Sequence, residues 1–169
     1  MNRTHMMLAL IATMTLVAAG PLAQALAQAQ AQEKLSPPRK PLPVVTVTLA
    51  HTRFTTQVAT TNESRAYGLM DRTTMPADSA MLFVFQHAEP RWFWMKNTKI
   101  PLDILFFDAR HKLVAMQLDA LPCTADPCKV YPSNKPARYV LELAAGTAQR
   151  LGVREGAQLR VEGRYGTVQ

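Results

Sequence analysis

Cysteine is scarce here, two in 169 residues. A zinc or copper site wants three or four ligands, and His51, His87 and His111 show no ligand-like spacing to the pair. The five methionines outside the leader (Met70, Met75, Met81, Met95 and Met116) are too scattered for a copper box and read as core filling. No metal and no cofactor is therefore expected. Also missing are a G-x-S-x-G elbow, an H-E-x-x-H pair, a phosphate-cradling Gly-rich loop and any Ser/His/Asp set that the sequence can pair. No basic cluster interleaved with aromatics occurs, so nucleic acid is not an expected partner despite a formal net charge of +7. Beyond residue 19 no segment approaches the roughly 20 apolar residues of a membrane-spanning helix. No internal repeat is visible.

What is present begins with a leader. Arg3 precedes an apolar run from Met6 to Ala19, Pro21 breaks it, and small residues follow with A-x-A spacing. Ala25-Leu26-Ala27 is the best cleavage signal, with Ala23-x-Ala25 and Ala27-x-Ala29 near it, so residues 1–27 read as a signal peptide. The mature chain is expected to be exported, periplasmic or secreted, with no transmembrane segment. Residues 28–43 are Ala/Gln-rich and then proline-rich, a flexible tether. A single β-rich domain is expected over 44–163, followed by a tail over 164–169.

Within the domain, strand signals dominate. "VVTVTLA" and "RFTTQVAT" suggest a hairpin turned at His51-Thr52. Thr60 and Glu63 stand in capping-box spacing ahead of a short helix that Gly68 can end. "AMLFVFQ" and "WFWM" read as buried strands, "DILFFDARHKLVAMQLD" as two strands turned near Ala109–His111, and "ARYVLELAAG" and "AQLRVEG" as further strands. "GTAQRLGV" reads as a second brief helix. The expected class is mainly β, a compact antiparallel sandwich or barrel with two short helices, with α+β as the alternative.

Cys123 and Cys128 lie five positions apart in "LPCTADPCKVYPS", which reads as a structural disulfide in an oxidising compartment. The segment with the most chemistry is "RWFWMKNTKIPLDILFFD". Alternation puts Trp92, Trp94 and Lys96 on one face and Phe93, Met95 and Asn97 on the other, with the aromatics expected in the core. Lys96, Asn97 and Thr98 fall where the strand ends, Pro101 turns the chain, and Asp103 opens a strand apolar on both faces. Two readings stand. The polar groups satisfy a turn, with Lys96 paired to Asp103 or reaching water. Alternatively they form a cleft, with Lys96 as cationic anchor, Asn97 and Thr98 as hydrogen-bond partners, Asp103 as acceptor or base and Trp92 or Trp94 as an aromatic wall. Arg65 and Arg72 add cations suited to carboxylate or phosphate, or else belong to a helix surface and a turn.

"SRAYGLMDRTTMPADSAMLFVF", "FWMKNTKIPLDILFFD", "PCTADPCKVYPS" and "ARYVLELAAGTAQRLGVREG" together resemble the uncharacterised bacterial and archaeal family known as domain of unknown function 192. The resemblance implies a compact, largely β domain, often exported, without established activity. It points to Arg65, Gly68, Met70 and Arg72, then to Trp94, Met95, Lys96, Asn97, Thr98, Pro101 and Asp103. The favoured expectation is a domain that binds a small polar or anionic ligand or an envelope component at this cluster. The alternatives are a hydrolase or lyase using Asp103 or Lys96, and an envelope accessory or assembly factor.

Overall fold

Ala50 and His51 adopt φ of 48° and 65°, the doubly left-handed turn that suits a two-residue hairpin. They join β1 (Val44–Leu49) to β2 (Thr52–Ala59) one residue earlier than the His51-Thr52 turn expected, with Thr52 already paired to Leu49 and the antiparallel ladder running on to Val44–Gln57. The computed structural model describes residues 41–169. The leader and residues 28–40 of the tether lie outside the described residues.

Helix α1 (Asn62–Tyr67) has its capping box one residue further along than expected. Thr61 accepts from the Ser64 amide at 3.2 Å, and the Ser64 hydroxyl accepts from the Thr61 amide at 3.0 Å. Thr60 is occupied at the end of β2, where its carbonyl accepts from Arg65 and from the Gln169 amide. Gly68 ends the helix, as expected, at φ 51° and ψ −128°. A Cβ there would lie 3.2 Å from the Phe83 ring, so both conformation and space ask for glycine.

β3 (Ser79–Glu89) pairs parallel with β2, and residues 60–78, including α1, supply the crossover such a pairing requires. The rest of the chain contributes β4 (Trp92–Trp94), β5 (Leu102–Phe107), β6 (Leu113–Ala120), β7 (Val130–Pro132), β8 (Ala137–Ala144), α2 (Thr147–Arg150) and β9 (Arg160–Glu162). Seven strands form one sheet in the order β6-β5-β8-β3-β2-β1-β9, and β4 pairs with β7 in a separate ribbon. The described residues are thus mainly β with two short helices. The large sheet is mixed, because β2 and β3 run parallel, and it does not close into a barrel. A bridge from Lys112, just before β6, to Gln158, just before β9, draws the two ends of the strand order together and rolls the sheet.

Each face of the sheet carries its own apolar cluster. Val47, Leu49, Phe54, Leu82, Leu105, Phe107, Leu141 and Leu143 lie on one face. Met81, Phe83, Leu102, Ile104, Phe106 and Val140 lie on the other, beneath Leu69, Met95 and Tyr131. β5 is buried at every position because β6 and β8 flank it and both its faces are covered.

The two tryptophans correct a sequence expectation. Trp92 is 68% exposed and Trp94 50%. The alternation itself holds, but Phe93 and Met95 form the inward face. Phe93 meets Phe83 edge-on with ring centres 5.0 Å apart, and Met95 is 1% exposed. β4 belongs to a two-stranded ribbon, so its outer face has no second layer to bury the indoles. The expected disulfide joins Cys123 and Cys128. Closing so short a loop contributes about 2 kcal/mol on the chain-entropy model. The loop is tied to the end of β4 through the Cys123 amide, which donates to the Met95 carbonyl at 3.3 Å.

Candidate functional site

Strand parity and cross-strand register decide which side chains can meet. Along β5, Leu102, Ile104 and Phe106 share the face under the β4–β7 ribbon, and Asp103, Leu105 and Phe107 point the other way. Ile104 faces Glu142 of β8, and Glu142 in turn faces Met81 of β3. Glu142 therefore belongs to the ribbon side and Asp103 to the opposite side.

Asp103 is fully buried, and both its oxygens are engaged by backbone. Oδ1 accepts from the Asp119 amide at 3.1 Å, and Oδ2 accepts from the Ala148 amide at 2.8 Å. It ties β6 and the first turn of α2 to β5. Lys96 is not its partner. Lys96 Nζ lies 3.3 Å from Asp126 in the disulfide loop and 5.7 Å above the Trp94 ring.

On the ribbon side lies a small open cleft, bounded by the Arg65–Met70 segment, Phe83, Phe93, Trp94, Lys96, Thr98 and Glu142. Asn97 does not line the cleft but joins two turns beside it. With φ 57° it turns the chain so that its carbonyl accepts from the Asp71 amide at 2.9 Å, joining the turn after α1 to the turn after β4. Its side-chain amide lies 3.9 Å from Met70 Sδ. Thr98 is buried beside this junction.

The arginines are occupied elsewhere. Arg65 donates to the carbonyls of Thr60 at 2.7 Å, Val84 at 3.0 Å and Gln169 at 2.5 Å, and to Asn62 Oδ1 at 2.5 Å. It also stacks 4.9 Å over Phe85. Burial and the nearby Arg91 hold its pKa below the usual guanidinium value. It fastens α1 and β3 to the C-terminal residues, while Arg72 bonds the Gln57 amide on β2. Of the sequence candidates, Trp94, Lys96 and Thr98 meet at the cleft, with Arg65 at its margin. Asn97 and Arg72 line no part of the cleft, and Asp103 is on the far side of the sheet.

Glu142 is the group sequence reasoning passed over. It is 4% exposed, sits between Met81 and Ile104, and makes no side-chain hydrogen bond or ion pair among the described residues. Desolvation pushes its pKa up to about 8, so near neutrality it is largely an uncharged acid and a hydrogen-bond donor. The sequence did carry a signal. Glu142 is the lone charge in "YVLELA", a run whose other residues suit a central strand.

The arrangement places a protonatable acid and an ammonium on one cleft, with aromatic walls between them. The family described as Uncharacterized ACR, domain of unknown function 192, matches residues 44–161. A Sinorhizobium meliloti 1021 protein, described as a proposed transcription regulator, superposes with a TM-score of 0.67 at 34% identity. The match covers 73% of this chain and 98% of that one. A Novosphingobium aromaticivorans DSM 12444 protein of unknown function superposes with a TM-score of 0.66 at 31% identity, covering 77% and 96%. No curated protein matches the chain.

Proposed function

The chain belongs to the domain of unknown function 192 family, and on that premise we propose that it is an exported domain binding a small polar or anionic ligand in the ribbon-side cleft. The observation that carries this reading is Glu142, a buried carboxyl that supports no neighbour and opens on the cleft. Lys96 at the rim supplies the attraction for an anionic group, through an exposed pair with Asp126 that costs little to exchange. An enzyme reading keeps one point in its favour. Glu142, rather than Asp103, is placed to give or take a proton from a bound molecule.

Export is supported by the Met6–Ala19 run, the A-x-A spacing at Ala25–Ala27 and the disulfide. Among the described residues no helix is long and apolar enough to cross a membrane. Protein recovered from a periplasmic fraction is expected to begin near Gln28 on N-terminal sequencing. A chain that still begins at Met1 and stays with the cytosol would overturn export.

Binding is tested by a thermal-shift screen against organic acids, sugars, nucleotides and wall fragments, since a ligand specific to the folded state raises Tm. The expected hit loses its shift in Lys96→Ala and in Glu142→Gln. Lys96→Ala alone should change stability by less than about 1 kcal/mol, the value of an exposed pair. Hits that survive both substitutions would locate binding elsewhere and overturn the cleft reading.

A further inference from the structure

We infer that the cleft takes a small amphoteric ligand, presenting a protonated amine to the Glu142 carboxyl and an acidic group to Lys96. This rests on the cleft being a binding site. Glu142 faces no cation that could neutralise it, although three other titratable side chains line the cleft with it: Arg65, Tyr67 and Lys96. Arg65 is committed to three carbonyls and the Asn62 amide oxygen, Lys96 is paired with Asp126, and Tyr67 donates to Asp71 at 2.8 Å. The neighbouring strands bring apolar side chains to that face, Met81 and Phe83 from β3 and Leu102, Ile104 and Phe106 from β5. The carboxyl is thus available to a cation that arrives from outside.

The walls favour the same chemistry. Phe83, Phe93 and Trp94 line the path from rim to floor, and aromatic faces attract ammonium groups. Lys96 already lies over the Trp94 ring in this way. A purely cationic ligand would meet that ammonium at the entrance, whereas a ligand with an acid at its outer end would pair with it.

Binding is then proton-linked. As the amine arrives, Glu142 gives its proton to solvent and the amine keeps its own, forming an ion pair at the floor. With the free carboxyl titrating at about 8, about 0.9 proton should leave per site at pH 7.

Three probes separate the outcomes: n-butylammonium, butyrate and 6-aminohexanoate. Each is titrated into the protein as recovered from cells. The readouts are the amide resonances of Gly68, Phe93 and Glu142, and calorimetry in buffers of different ionisation enthalpy. The amino acid should bind best, release protons, and tighten about tenfold from pH 6 to pH 7. Glu142→Gln should weaken both amine probes by roughly tenfold to a hundredfold and abolish proton release. Lys96→Ala should reduce the amino acid to the affinity of n-butylammonium. Butyrate binding as well as the amino acid, in wild type and Glu142→Gln alike and without proton release, would overturn the inference and leave the cleft reading standing. Unshifted cleft amides with all three probes at millimolar concentration would also overturn it, and the wider screen then judges the cleft reading separately.

Discussion

Asp103→Ala is expected to lower the unfolding free energy by about 3–5 kcal/mol, read as a shifted urea midpoint. Helix α2 starts after Gly146, at φ 76°, with no side-chain cap of its own. The Asp103 carboxylate supplies that cap from β5, accepting from the Ala148 amide, while its other oxygen holds the Asp119 amide of β6. Alanine would leave both donors without acceptors and open a cavity in a fully buried position. Each unsatisfied buried donor costs roughly 1–3 kcal/mol. Asp103→Asn separates the two causes. It keeps the volume but turns an amide nitrogen towards one of the two N–H donors, so about half of the loss or more should persist. Ligand binding in whatever fraction stays folded should be unchanged, since Asp103 lies across the sheet from the cleft. An alanine variant as stable as wild type would show that the carboxylate is not the tie between β5, β6 and α2.

What the sequence made legible was local. The β1–β2 hairpin, the Gly68 helix end, the turn before β6 and the disulfide each depend on residues a few positions apart, where propensity and turn chemistry act directly. The environment of "RWFWMKNTK" was only half legible. Period two correctly separates Trp92 and Trp94 from Phe93 and Met95, but which face is buried depends on β7, whose three residues gave no strand signal of their own. The parallel pairing of β2 with β3 is likewise set by the crossover, not by either strand. Asp103 and Glu142 show the limit most clearly. Both are single acids in apolar strands, and which of them faces the cleft follows from the pairing of Ile104 with Glu142. A slip of one residue in a strand moves every side chain to the opposite face, so the assignment needs a register between segments nearly 40 residues apart.

Stability should fall as pH rises from 5 to 9 in the wild type, and Glu142→Gln should remove most of that fall. The carboxyl is raised from an ordinary 4.5 to about 8 by burial, so the folded chain keeps a proton that the unfolded chain releases. Below about 4.5 both states are protonated and the group adds no pH dependence. Between 4.5 and 8 unfolding releases the proton, and stability declines by up to about 1.4 kcal/mol per pH unit. Above 8 both states are ionised and the full penalty, about 5 kcal/mol as an upper bound, is in place. Urea midpoints for the two proteins across this range decide the matter. Parallel curves would show that Glu142 ionises as freely in the folded chain as in the unfolded one. Glu142→Met, flanked by Met81 and Ile104, should go further and make the domain more stable than wild type at pH 8, because an apolar side chain avoids the desolvation altogether. A carboxyl that weakens its own sheet and satisfies no neighbour makes no sense as packing. It makes sense as a group kept for what enters the cleft, the kind of local rule-breaking expected where a fold carries its function.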